Sequence, residues 1–259
     1  MGTLLEPKEG DVIDVWFSCG AASAVALQQT LLRYGNLCHV RALNNPIAEE
    51  DGDNRRFLRD VERWLGVTVL PVTNPRRPST SAVEVWDAEK YMSGTKGAPC
   101  TRQLKRHARQ AYEALNPAQW LVMGFTAEEQ SRHDNFAFSE RGNILPVLID
   151  AGLTKQDCAQ IIVDAGLQLP AMYAMGYPNA NCPGCVKATS PTYWNHVRKM
   201  HPDVFAARAE QSRRLGVRLV RYRGERIFLD ELPCDAVGRP MRAVKMPECG
   251  LFCEERLVA

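Results

Sequence analysis

A doubly wound α/β fold with a mostly parallel sheet is predicted by three features of the sequence. Short apolar runs rich in β-branched residues alternate with helical periodicities from residue 11 to residue 166. The first such run passes into a helix through small residues only, at 18–24. After residue 168 the alternation stops, and a Pro-, Gly- and Tyr-rich stretch leads into helical segments and paired cysteines. The expected division is therefore an α/β domain over 1–168 and a C-terminal helical, cysteine-bearing extension over 169–259.

Residues 11–17, with Val12, Ile13, Val15, Trp16 and Phe17, read as a buried strand. Residues 21–34 carry Val25, Leu27, Leu31 and Leu32 and read as a helix closed by Gly35. Residues 37–43 form the next strand, 50–65 a charged helix ended by Gly66, and 67–72 a third strand. The Pro-, Arg- and Ser-rich loop at 73–81 has no partner in the pattern and reads as a substrate flap. Helices follow at 82–92 and 101–115, the second with Leu104, Ala108, Ala111 and Leu115 on one face. A strand at 119–124 comes next, and later a helix that starts from a Thr154 cap with Asp157 in the capping-box position. Beyond 170–185 the helical stretches are 192–200 and 204–215, and a hairpin turns at Arg223-Gly224.

The composition sets bounds on function. With 45% apolar and 24% charged residues over 259 positions, the chain can fill a sizeable core and is not a disordered segment. Its net charge of +2 gives no general affinity for polyanions. The basic run Lys105, Arg106, His107, Arg109 has two readings, a solvated helix face, which is the expectation, and a set of phosphate contacts; nothing further supports a nucleic-acid partner. No apolar run reaches the roughly 18 residues that cross a bilayer, and the first residues lack a signal pattern, so a cytoplasmic location is expected. In that reducing compartment, nine cysteines point to metal or thiol chemistry rather than to disulfides. The sequence leaves the oligomeric state open.

The loop Ser18-Cys19-Gly20-Ala21-Ala22-Ser23 joins the first strand to the first helix. Small side chains let backbone N–H groups approach phosphate oxygens, and the helix N-terminus adds partial positive charge. The loop resembles the PP-loop, Ser-Gly-Gly-x-Asp-Ser, of the adenine-nucleotide α-hydrolase superfamily. That superfamily includes ATP pyrophosphatases and the phosphoadenylyl-sulfate (PAPS) and adenylyl-sulfate (APS) reductases. Ser18, Gly20 and Ser23 match; Cys19 replaces a Gly and Ala22 the Asp. Loss of that carboxylate, a natural magnesium ligand, argues against magnesium-dependent ATP cleavage.

Two more segments carry the likeness. Pro99-Cys100-Thr101-Arg102-Gln103-Leu104-Lys105 is similar to the cysteine-then-lysine segment of the reductases. The run from Gly124 through Glu128 and Glu129 to Arg132 is similar to their Gly-x-x-x-x-Glu-Ser-x-x-Arg segment. Arg102, Lys105 and Arg132 offer cations for phosphate or sulfate oxygens. The resemblance implies an adenine nucleotide, ATP or PAPS/APS, held by residues 18–23, Arg102, Gly124 and Glu128.

Cys182-Pro183-Gly184-Cys185 can converge on a metal across its tight turn, and the tail adds Cys249 and Cys253. One arrangement is a closed site of those four. The resemblance implies another: APS reductases bind a [4Fe–4S] cluster with a cysteine pair upstream of a Cys-x-x-Cys. Here Cys100 stands alone upstream, with Pro99 in place of its neighbour, so Cys249 or Cys253 completes the set or one iron stays open. Four thiolates suit zinc as well as iron–sulfur; iron–sulfur is the expectation. Glu248-Cys249-Gly250-Leu251 also resembles the reductase tail, whose Cys attacks the sulfate sulfur and forms an enzyme thiosulfonate. Phe252 replaces the His of that tail. The nucleophile and ligand roles of Cys249 exclude each other unless Cys253 alone serves as ligand.

The expected activity is thiol-dependent sulfonucleotide reduction. Cys249 attacks, Lys105, Arg102 and Arg132 stabilise charge, and a thioredoxin-like dithiol releases sulfite. The alternatives are ATP-dependent thiolation of a nucleic-acid base and an inactive, metal-stabilised nucleotide sensor.

Overall fold

The computed structural model describes residues 6–95 and 97–242. Five strands form one parallel sheet: β1 (Val12–Trp16), β2 (His39–Asn44), β3 (Val69–Pro71), β4 (Trp120–Met123) and β5 (Ile144–Leu145), in the order β3-β2-β1-β4-β5. Pro71, which cannot donate a ladder hydrogen bond, sits in β3 at the sheet edge.

Helices cover both faces. On one side Ile13, Val15 and Phe17 meet α1 (Ala21–Tyr34), α2 (Asp53–Leu65) and α7 (Lys155–Asp164) through Val25, Leu27, Phe57 and Ile162. The alternate residues of the same strand face the other way. There Trp16, Leu43 and Leu121 pack with Ala108 of α4 (His107–Leu115) and Phe136 of α5 (Gln130–Ser139). Asp14, also on that side and fully buried, is held by Arg41 at 2.7 and 3.1 Å. The short helix α6 (Val147–Asp150) follows β5, and α7 opens on the expected capping box, with Asp157 N donating to Thr154 Oγ1 and Thr154 N donating to the Asp157 carboxylate.

A second core lies under the C-terminal segment. It gathers Trp194 and Val197 of α9 (Pro191–Met200), Phe205 and Ala209 of α10 (Pro202–Arg214), and Met172 of α8 (Ala171–Ala174). From before residue 169 it takes Ile47, Leu104, and Val85 and Trp86 of α3 (Ala82–Glu89). The strands β6 (Val220–Tyr222) and β7 (Glu225–Ile227) form the expected hairpin. Trp194 is fully buried.

The predicted helix over 101–115 needs correction. Residues Thr101–Arg106 are wound as a π-helix, and the α-helix begins only at His107. The buried stripe holds at Leu104 and Ala108 but does not extend to Leu115, the last residue of α4, which is 84% exposed. The elements at Gln130–Ser139 and Ile144–Leu145 have no counterpart in the sequence reading.

Candidate functional site

The strand order reverses between β1 and β4, and a crevice opens there at the carboxyl ends of the two strands. The cleft measures about 510 Å³, and its lining includes Ser18, Gly20, Ala21, Ala22, Ser23, Lys105, Gly124 and Arg132. Eight of the residues singled out in three separate segments thus meet in one place.

The loop is tied by its last serine. Ser23 Oγ accepts from the backbone N–H groups of Ser18 (3.0 Å) and Gly20 (3.3 Å), and donates to the Gly20 carbonyl (2.9 Å). Ala21 N–H donates to the hydroxyl of Tyr173 at 3.2 Å. The N–H groups of Ala22 and Ser23 make no hydrogen bond among the described residues. The N–H groups of Ser18, Gly20 and Ala21 are thus taken up within the fold, and the first turn of α1 offers free N–H groups to an anion.

Cys19 has a φ of +57°. This left-handed conformation is why a glycine suits the position. The turn sends the thiol into the core beside Asn44 Nδ2 at 3.6 Å, where burial pushes its pKa up to about 12. Cys19 contributes backbone to the loop, and its side chain does not line the cleft.

The cations come from four elements. Lys105 and Arg106 lie on the π-helical turn and Arg109 on α4; Arg132 is on α5 and Lys155 opens α7. Hydrogen bonds from residue i to i+5 stack residues five apart, whereas in an α-helix such residues diverge by about 140°. The π winding thus draws Lys105 toward the face of Cys100. Burial pulls the Lys105 pKa down, but Glu50 and the sulfurs of Cys182, Cys185 and Cys100 outweigh it and hold the ammonium charged. Glu50 Oε1 lies 3.6 Å from Lys105 Nζ.

The basic run 105–109 is not a solvated face: Arg109 is only 6% exposed and grips Glu140 at 2.6 Å and Glu113 at 3.3 Å. Arg106 pairs with Glu140 as well. In the cleft, Glu129 pairs with Arg132 and lies 3.6 Å from Lys155. Five cations against the two carboxylates Glu129 and Glu140 leave an excess of positive charge.

Two expected ligands point elsewhere. Arg102 pairs with Glu89 at 2.7 Å, and Glu128 accepts from Lys155 N at 3.1 Å, so neither lines the cleft. Glu129 takes the place expected for Glu128. The sequence reading passed over Arg106, Arg109, Lys155 and Tyr173 as site residues; the only signal for the first two was the basic run itself.

Residues 178–181 form the far wall of the cleft and lead directly into Cys182. The Cys182–Cys185 turn is fixed by Gly184, whose φ is +66° and whose missing Cβ would lie 2.9 Å from Val204 Cγ1. Cys185 N donates to Tyr193 Oη at 2.8 Å. Burial pushes the Cys182 thiol up to about 12, with the Glu50 charge adding to it. Cys100 and Cys182 pack against the C-terminal core, and Cys182 follows directly on the cleft-lining residues 178–181. Among the described residues no three His, Cys, Asp or Glu side chains are arranged around a single metal ion. Cys249 and Cys253 lie outside the described residues.

No model of a known protein family matches the chain, and no curated protein is significantly similar to it. Among the described residues no helix is long and apolar enough to cross a membrane.

Proposed function

We propose that this protein binds an adenine nucleotide in the cleft at residues 18–23 and uses it for sulfur chemistry, in concrete form the thiol-dependent reduction of a sulfonucleotide. One observation carries the reading. The free N–H groups of Ala22 and Ser23 at the start of α1 share a cleft with Lys105, Arg106, Arg109, Arg132 and Lys155, and its wall runs straight into Cys182.

In this reading the first turn of α1 holds a phosphate, and Lys105 and Arg132 hold the sulfate. The Cys249 thiolate attacks the sulfate sulfur; an S–S bond forms, the bond from sulfur to the bridging oxygen breaks, and the nucleotide leaves with that oxygen. A dithiol then attacks Cys249 Sγ, releases sulfite and is itself oxidised to a disulfide. The donors in the cleft suit this better than magnesium-dependent ATP cleavage, because Ala22 offers no oxygen ligand and both Glu129 and Glu140 are taken up by arginines.

Cys100, Cys182 and Cys185 are the described thiols this reading assigns to a thiolate-held metal group; thiolate donors suit an iron–sulfur cluster as well as zinc, and these side chains are not arranged around a single ion. Cys253 is then the fourth candidate, leaving Cys249 free. Bound there, a [4Fe–4S] cluster supplies a redox-capable, net-negative group beside the cleft.

The test is sulfite release from PAPS and from APS with a thioredoxin-like dithiol. Release with one of them, abolished by Cys249→Ser, is expected. Tight binding of nucleotide with no release from either would leave a sensor, and failure to bind ATP, PAPS or APS in calorimetry would remove the nucleotide reading altogether.

A further inference from the structure

Tyr173, on α8, is used by no step above. It comes from the segment after the strands and helices stop alternating, yet it belongs to the core that holds Phe17, Ala21 and Ala24. The helix α2 fixes the start of that segment. Arg56 donates to the carbonyls of Gln168 and Leu169, each at 3.0 Å, and the Asp53 carboxylate accepts from Ala171 N at 2.7 Å. Tyr173 N donates to the Pro170 carbonyl at 2.9 Å. These bonds hold the backbone from which the phenol reaches the loop between β1 and α1.

The hydroxyl lies at the loop itself. It accepts from Ala21 N–H at 3.2 Å, and a Cβ on Gly20 would lie 3.4 Å from Tyr173 Oη. The residue is only 6% exposed and lines the cleft together with Gly20, Ala21, Ala22 and Ser23. A phenol has one proton to donate as well as lone pairs that accept. Tyr173 accepts, but among the described residues nothing accepts its proton. Burial raises its pKa, so the group keeps that proton at neutral pH. A buried O–H without an acceptor is a cost that a ligand oxygen in the cleft removes.

The two serine hydroxyls of the loop are engaged within it. Ser18 Oγ donates to Ser23 Oγ at 3.2 Å, and Ser23 Oγ donates to the Gly20 carbonyl at 2.9 Å. An anion on the first turn of α1 therefore meets the N–H groups of Ala22 and Ser23, with the Tyr173 O–H beside them.

We infer that Tyr173 is a ligand-binding residue: its O–H donates to the phosphate seated on the first turn of α1. The inference rests on the nucleotide reading above and deepens it, because it brings a residue from beyond 169 into the anion site.

The test uses the full-length protein as wild type, as Tyr173→Phe, and with a monofluorinated tyrosine placed at 173. ATP, PAPS, APS and inorganic pyrophosphate are titrated by calorimetry at neutral pH, with adenosine as the uncharged control and thermal unfolding to verify the fold. Tyr173→Phe is expected to bind the anions about ten-fold more weakly and adenosine unchanged. Fluorination makes the O–H a better donor and its oxygen a poorer acceptor. The fluorinated protein should therefore bind the anions about two-fold more tightly than wild type. A residue that only accepted from Ala21 N–H would give no gain, or a loss. Wild-type anion affinity in folded Tyr173→Phe, or no gain on fluorination, would overturn the inference and leave the nucleotide reading standing. Should Tyr173→Phe fail to fold, the fluorinated protein decides. Wild type that binds pyrophosphate but no nucleotide would remove the nucleotide reading, with Tyr173 then judged on pyrophosphate; wild type that binds none of the four would overturn both.

Discussion

A methyl group on Gly124 would lie 2.8 Å from the backbone nitrogen of Ser23. The end of β4 and the first turn of α1 therefore touch backbone to backbone, at the point where the strand order reverses. One of the unpaired N–H groups at the start of α1 belongs to the residue that Gly124 presses against.

Gly124→Ala should push the first turn of α1 away from β4. The expected loss is about 1–3 kcal/mol of stability in urea unfolding, because the clash is with backbone and no side chain can swing aside. Nucleotide affinity in calorimetry should fall about ten-fold, the energy of one charge-assisted hydrogen bond. Wild-type values for both would show that the loop position is not set by this contact.

Arg109 joins the cleft to the core, holding Glu113 and Glu140 with almost no exposure to water. Arg109→Met leaves two partly buried carboxylates short of a cation and should cost about 3 kcal/mol. The triple variant that also carries Glu113→Gln and Glu140→Gln should regain part of that loss. No regain would mean that packing, and not charge, explains the effect.

Asp53 ties the start of α2 to Arg56 and accepts from Ala171 N at 2.7 Å, which steadies the helix that carries Tyr173. The Arg56 guanidinium lowers its pKa below 3.8 against the opposing effect of burial, and Ala171 N–H adds to the lowering. Its contribution is thus complete above the ordinary carboxylate value and disappears as pH falls through the depressed one. Asp53→Asn should cost about 1 kcal/mol near neutrality, discounted for partial exposure, and flatten the loss of stability below pH 3.8. Parallel acid profiles for the two proteins would contradict this.

The described thiols should differ widely in reactivity. Cys19 and Cys158 are buried, with pKa values pushed up to about 12 by desolvation, whereas Cys234 is exposed. Brief alkylation read by mass spectrometry should label Cys234 first and spare Cys19 and Cys158 until denaturant is added. Early labelling of Cys19 would mean that the loop opens and that its thiol reaches the cleft.

Much of the architecture was legible because its signals are local. The run from Val12 to Phe17 alternates sides along one strand, and Thr154 with Asp157 forms a cap within four residues. The π-helical turn at Thr101–Arg106 was not legible, since its residues are ordinary helix formers and only the surrounding packing selects the wider winding. Leu115 was misplaced because it is the last residue of α4, where the apolar spacing continues but the core does not. The two-residue strand β5 is too short to carry a period at all.

The sequence by itself determined the α/β class, the parallel sheet, and the small-residue loop between β1 and α1, because side-chain period and backbone sterics act over a few neighbouring residues. Only the tertiary structure decided which polar groups converge. It turned Glu129 rather than Glu128 into the cleft, gave Arg102 to Glu89, drew Arg109 in from a run that reads as surface, and set the Tyr173 hydroxyl against the loop between β1 and α1. Each of these depends on which face of an element is buried against a partner distant in the chain, and no local pattern encodes that choice.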